Sequence, residues 1–467
     1  MTIAGRFSPM GGIKDRVFKY TSEVPSDNFA LEVPITNGTY VNPIDIDWGD
    51  GTVETLTSGA WPSHTYALAG DYQITIKSGT GKIPFCCFNA NTTGSGNKTT
   101  HPVAGENIKS IDYSFVKWYT GRNPTTAFSN FFDTCQKITG GFPGTLFYHN
   151  VEMTGAGAIF QRATNMTGPI PENLFENNVL LSNCNAVFIT CTNLSGPIPE
   201  KLWANCPNLA NTSWGFSTDR NLTGPLPANL FKNNPNLNYI VGTFNGCRGL
   251  TGGIPAGFFD HTAEITDFYR VFDTCLGMTG TIPAGLFDNH KNVTRFMSVF
   301  NDCQKMTGSI PAGLFKGQSK CTNFQSAFNN NFLLTGPIPA DLFEGCVLAE
   351  NFQSAFRQCR NLTSAPSDLF KDSPNATNFT TTFYGCNAMT FSSDVFGGTN
   401  STRFASVTPD FTSCFQRTSW TGSVAGTAPD LWNYTYSGTP TSTSCFAGAG
   451  NNANSLTNYS SIPSGWK

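Results

Sequence analysis

Asp45, Asp47 and Asp50 lie within six residues of one another, at a spacing from which three carboxylates could reach one calcium ion. The turn reading is the stronger of the two. Asp50 opens an Asp-Gly pair, and an Asp side chain readily folds back on its own backbone at such a turn. His64, His101, His149, His261 and His290 are scattered, and none falls at the spacing of a His-Glu-x-x-His zinc helix. No Gly-x-Ser-x-Gly elbow, phosphate-binding loop or dinucleotide fingerprint occurs. A pair of carboxylates working on a glycosidic bond would need fixed separation across a groove. Glu172, Glu200, Asp260, Asp288 and Asp341 instead fall at variable, loop-like positions and read as solvated groups. The expectation is a chain with no catalytic residue, no metal site and no cofactor.

The 15 cysteines carry more information, because seven of them recur at one place in a repeating unit. Cys135, Cys191, Cys247, Cys275, Cys303, Cys359 and Cys386 each stand three residues before a Leu, Met or Ile, while Ala163, Asp219 and Asn331 take that place in other units. Thiols that alternate with Ala, Asp and Asn at one position form an interior ladder rather than a metal site, which needs convergent spacing such as Cys-x-x-Cys. Cys86-Cys87 is too tight for an ordinary chelate and reads as structural. Cys184, Cys206, Cys321, Cys346, Cys414 and Cys445 show no pairing pattern, and an odd thiol count fits folding in a reducing compartment.

The element that positions these groups is a repeat. NMTGPIPENLF (165–175) returns as NLSGPIPEKLW (193–203), NLTGPLPANLF (221–231), GMTGTIPAGLF (277–287) and KMTGSIPAGLF (305–315). From Leu146-Phe147 to Leu342-Phe343 every step is 28 residues, and looser copies end at Leu369-Phe370 and Val395-Phe396. Such a period indicates stacked units, none of which buries its apolar face alone. Within one unit, the spacing predicts a short strand near Phe296–Phe300, stacked ~4.8 Å from its counterparts in a parallel sheet. Gly308 permits a bend, Pro311 excludes a regular strand or helix, and Ala312–Phe315 is expected as one short helical or 3₁₀ turn whose Leu314 and Phe315 plug the unit.

The ends read differently. Residues 1–16 are Gly-rich and suggest an arm. Residues 17–80 alternate as strands around Phe29–Ile35, Pro43–Trp48, Thr52–Leu56 and Tyr72–Lys77, which predicts a small all-β module. The repeats are expected over 81–400, with Ile83–Phe85 and Ile108–Tyr113 as first irregular coils. Residues 401–467 are expected as irregular units and a C-terminal cap, since the open end of a stack must be closed.

Trp48-Gly49-Asp50-Gly51-Thr52, His64-Thr65-Tyr66 and Gly70-Asp71-Tyr72-Gln73-Ile74-Thr75-Ile76 resemble the PKD-type immunoglobulin-like module. NVTRFMSVFNDCQKMTGSIPAGLF (292–315) resembles the BspA-like class of bacterial leucine-rich repeats. NLSGPIP (193–199) is also similar to plant receptor repeats, whose period is shorter. Together the resemblances imply a mainly β chain: a small immunoglobulin-like β-sandwich followed by a leucine-rich-repeat solenoid of parallel sheet and short helical turns. They also imply an exposed protein that binds host proteins, glycans or cell envelopes.

Composition narrows the class further. Only 13% of residues are charged, about half the usual share, so Asn, Thr, Ser and Gly must supply the polar surface. A net charge of −3 gives no electrostatic footprint for nucleic acid, and no run of 18 apolar residues suggests a membrane span. Asn165, Asn193, Asn221 and Asn361 open Asn-x-Ser/Thr triplets that the repeat generates by itself. Arg270, Arg295 and Gln325 occupy variable positions on the expected broad face and are candidates for recognition. The opening residues lack a signal-peptide pattern and no sorting tail follows Trp466-Lys467. With the thiol ladder, this favours a phage fibre, spike or capsid-decoration protein whose N-terminal region docks to other virion proteins. The other readings are a secreted bacterial adhesin at the cell surface and, third, a polysaccharide-degrading enzyme. A homo-oligomer is compatible with all three.

Overall fold

Alternating apolar residues in Phe18, Tyr20, Val24 and in Ile44, Ile46 are what a half-buried strand requires, and strands form there. The computed structural model describes residues 17–33, 35, 38–59, 62–78, 82–83, 107–114, 117–118, 128–397, 402–417, 426–450 and 456–467. The expected arm (1–16), Cys86, Cys87 and His101 lie outside them. The chain is mainly β, with helix limited among the described residues to Asn107 and three short 3₁₀ turns near the C-terminal end.

The first strands are β1 (Val17–Val24), β2 (Phe29–Glu32), β3 (Gly38–Asp47), β4 (Val53–Gly59), β5 (Ser63–Tyr66) and β6 (Gly70–Ser78). Two short strands, β7 (Lys82–Ile83) and β9 (Lys117–Trp118), pair in parallel on either side of β8 (Ile108–Ser114). A five-stranded antiparallel sheet runs in the order β4-β3-β6-β1-β8, and β2 pairs with β5 in a second, two-stranded sheet. Trp48, Tyr66, Leu31, Ile46 and Ile74 fill its core. The expected division at residue 80 does not describe this sheet. Ile108–Tyr113, read in the sequence as an irregular coil, is β8, and it covers the β1 edge with Ile108 and Ile111 buried. An uncovered β1 would leave a row of unpaired amides.

From residue 128 the units stack in parallel. Isolated bridges join Asp267 to Arg295, Arg295 to Asn323 and Asn323 to Asn351, each one unit apart. A second column of bridges, Gly168 to Leu194 and Gly196 to Leu222, grows into a small parallel sheet of β10 (Gly336–Pro337), β11 (Leu362–Ala365) and β12 (Thr390–Phe391).

The strand expected near Phe296–Phe300 is not formed, and its replacement has a clear cause. Ser298 and Asp302 are left-handed, at φ +55° and +58°, and the equivalent residues of other units share that geometry. Alternate amides therefore point in two directions. Phe296, Ser298 and Phe300 donate to the carbonyls of Asn323, Gln325 and Ala327 in the next unit, whereas Val299 and Asn301 donate back to Phe296 and Ser298. The result is a run of turns that still bonds unit to unit. Ala312–Phe315 is likewise neither α- nor 3₁₀-helical, because Gly313 at φ +68° interrupts it.

Aromatic columns fill the interior. Phe244, Phe272, Phe300 and Phe328 stack at ring-centroid separations of 5.8, 5.8 and 5.7 Å, within the range of offset stacking. The column is continuous from Phe132 to Phe446, and the plugs Phe287, Phe315 and Phe343 form another. At the far end Trp466 accepts a backbone bond from Phe446 and packs near Phe411.

Candidate recognition face and thiol ladder

Position in the unit dictates what each thiol meets. The left-handed residue just before the ladder position turns the chain inward, so the next side chain points at the preceding unit. Cys191, Cys247, Cys275 and Cys303 donate from Sγ to the carbonyls of Phe160, Phe216, Phe244 and Phe272 at 2.9, 3.0, 3.1 and 3.0 Å. Asn331 does the same from Nδ2 to Phe300 at 2.7 Å, and Cys359 and Cys386 follow at 3.0 and 2.9 Å to Phe328 and Phe356. Cys135, at the start of the stack, lies 3.9 Å from the Asp133 carbonyl. All are buried, and Cys191, Cys247, Cys275, Cys303, Cys359 and Cys386 are free. Burial pushes these thiols up, for Cys386 to about 12, and a protonated buried thiol is neither nucleophile nor metal ligand. Cys184, Cys206, Cys321, Cys346, Cys414 and Cys445 are buried as well.

The three aspartates near the Trp48 turn are occupied by the turn itself. Asp45 accepts from Thr55 Oγ1 at 2.7 Å, Asp47 from the Gly49 amide at 3.0 Å, and Asp50 from the Thr52 amide at 2.9 Å. The second Asp50 oxygen lies 2.6 Å from His64 Nε2, and His64 stacks on Trp48. Among the described residues no three His, Cys, Asp or Glu side chains gather as a metal site. His290 is buried, with Nε2 2.9 Å from the Thr262 carbonyl, and burial lowers its pKa to about 4. His149 is half-buried and His261 exposed.

Arg270, Arg295 and Gln325 are half-buried on the bridge-bearing face, but they are not equivalent. Arg295 holds Asp267 through two hydrogen bonds, 3.1 Å from Nε to Oδ1 and 2.5 Å from Nη2 to Oδ2. Its guanidinium lies 4.3 Å from the Tyr269 ring centroid, and that of Arg270 lies 5.1 Å from the same ring. Arg270 also pairs with Asp273 at 3.3 Å. Gln325 stands apart from this group and accepts from Asn351 Nδ2 at 3.3 Å.

The structure adds residues that the sequence reading left out. Tyr269 gathers both arginines, Trp214 meets Tyr269 edge-on at 6.4 Å, and Tyr239 is 56% exposed in the bridge column. Beside them runs a polar ladder in which Asn329 donates to Asn301 and Asn301 to Asp273, at 2.7 and 2.6 Å. Asn183, Asn211, Asn323, Asn351 and Asn378 fix the entry to each run of turns by accepting from the amide two residues on. A signal for Tyr239 and Tyr269 was present in the sequence. Tyr239 stands where the neighbouring units carry Asn211 and Asp267, and Tyr269 where they carry Val241 and Met297, which only an alignment of the units by number would expose.

Chemically, the face offers aromatic surface, amides and charge-paired arginines, and the interior offers protonated thiols. No protein-family model matches the chain, and no curated protein matches it.

Proposed function

We propose that this chain is a non-enzymatic binding protein: a leucine-rich-repeat solenoid of the BspA-like type, preceded by a PKD-like immunoglobulin module, that displays one broad face for recognition. The observation that carries the reading is the cluster of Trp214 and Tyr269 with Arg270 and Arg295, set on one side of the stack. Aromatic and Arg side chains are the residue types that dominate binding energy at recognition surfaces. The partner is a protein or glycan on a cell surface.

The location that fits best is a phage virion, with the N-terminal sheet docking to other particle proteins. Free, buried cysteines throughout the described residues support folding in a reducing cytosol before release. A secreted bacterial adhesin is the other reading. Two experiments test these statements. Fluorescently labelled protein should bind intact cells of a susceptible bacterium, and failure to bind any bacterial surface would overturn the recognition role. Protein sequencing of purified phage particles should find the chain; its absence from particles would leave the adhesin.

A further inference from the structure

We infer that Lys137, Asn107 and Glu23 form a self-processing site that links the N-terminal sheet covalently to the start of the stack. The Lys137 amine condenses with the Asn107 side-chain amide, and an isopeptide bond results. The inference is independent of what the broad face binds.

Strand register brings the three groups together. β1 pairs antiparallel with β8, Ser22 opposite Ile108, and the same count sets Glu23 opposite Asn107 one step further on. Ser22 Oγ donates to the Asn107 carbonyl at 3.1 Å and holds that step against β1. Lys137 arrives from the stack, two residues before the Thr139 amide that donates to the Lys109 carbonyl at 2.9 Å. Its Nζ lies 3.1 Å from Asn107 Oδ1 and 2.8 Å from Glu23 Oε2. Asp71, opposite Glu23 on β6, pairs instead with Lys109 at 2.7 Å.

An amine held at an amide reacts at the high effective concentration of an intramolecular process. The neutral amine attacks Asn107 Cγ, giving a tetrahedral centre that carries an oxyanion and a protonated Nζ. Glu23 takes the proton from Nζ and returns it to the departing nitrogen. Ammonia leaves, the new Cγ–Nζ amide remains, and no oxidant or cofactor is consumed. Asn107 is only 6% exposed, which keeps water from the same carbon. Lys137 and Glu23 are half-buried, and a lysine attacks only in its neutral form, so the reaction is slow and quickens with pH. Slowness does not prevent completion, because the ammonia diffuses away. A second contact of this type lacks the other features. Lys320 donates to Asn292 Oδ1 at 2.7 Å, but both residues are exposed, and Lys320 makes no ion pair among the described residues.

The full chain is incubated near neutral pH and at about pH 9, then digested with trypsin and read by mass spectrometry. A branched peptide joining residue 107 to residue 137 is expected, lighter than its two parts together by one ammonia and accumulating faster at the higher pH. Lys137→Arg, which keeps the charge, should abolish it, and Glu23→Gln should slow its formation at least about tenfold. Lys320 and Asn292 should stay unlinked in the same digest. Only linear peptides after prolonged alkaline incubation overturn the proposal, even if the chain as a whole loses ammonia, since a succinimide at Asn245-Gly246 would do that. Equal linkage at Lys320, or an unchanged rate in Glu23→Gln, overturns it as well. The wild-type digest decides alone where a variant fails to fold.

Discussion

Asp219 occupies the ladder position where its neighbours have Cys191 and Cys247, and it is fully buried. Burial drives its carboxyl well above the ordinary range, the Cys191 backbone opposing only in part. The native state therefore holds a proton that the unfolded chain releases above about pH 4. Folding stability must fall as pH rises from that value toward neutrality. Asn at this place would donate to the Phe188 carbonyl as Asn331 does to Phe300. Asp219→Asn is expected to raise stability by about 1–3 kcal/mol at pH 8, with the gain shrinking toward pH 4. Denaturant titrations at both pH values check it. The thiols make a second residue-scale expectation. The 13 cysteines among the described residues are all buried, and they should resist alkylation in the native protein and react together once it is unfolded, as read by mass spectrometry.

At the scale of the element, a unit is a run of turns whose amides alternate between the next unit and its own chain. Its cohesion comes from what stacks inside. Phe300 lies between Phe272 and Phe328 and also near Phe287, so its ring is shared by three units. Phe300→Ala is expected to cost about 3–5 kcal/mol, the usual range for removing a fully buried ring. Hydrogen exchange should then speed up at the amides of Phe272 and Asn301 as well as at residue 300. Loss confined to one unit would mean that the columns do not couple neighbours. Apolar residues recur through Phe296–Phe300 in a way that reads as strand, and the left-handed Ser298 was not legible there. Serine carries no signal for positive φ; its geometry is imposed by the need to keep bonding to a unit on each side.

Across the whole molecule, the stack has two differently treated ends. The first is joined to the five-stranded sheet: Lys137 pairs with Glu23 at 2.8 Å, and the Thr139 amide donates to the Lys109 carbonyl at 2.9 Å. The last is covered by residues 456–467, where Leu456, Ile462 and Trp466 are buried. Deleting 456–467 would bare Phe446 and its amide, leaving an open edge that pairs with another copy. Concentration-dependent association is expected by sedimentation, together with a lower melting temperature. A deletion variant that stays monodisperse at high concentration would show that the cap has no such role.

Spacing alone was enough to determine the 28-residue register, the inward set of Leu, Phe and Cys, and the special status of both ends. These follow from period and polarity, which each unit states again. Arg270 and Arg295 were also legible as variable positions, though not their shared partner Tyr269. Three things needed the tertiary structure. β8 joins the first sheet because β1 has an edge to cover, a demand invisible from residues 108–114 themselves. Turns replace strands because alternating amides must serve two directions at once. And Trp214 and Tyr269, which come from units two apart, meet only because stacking converts distance along the chain into adjacency across a face.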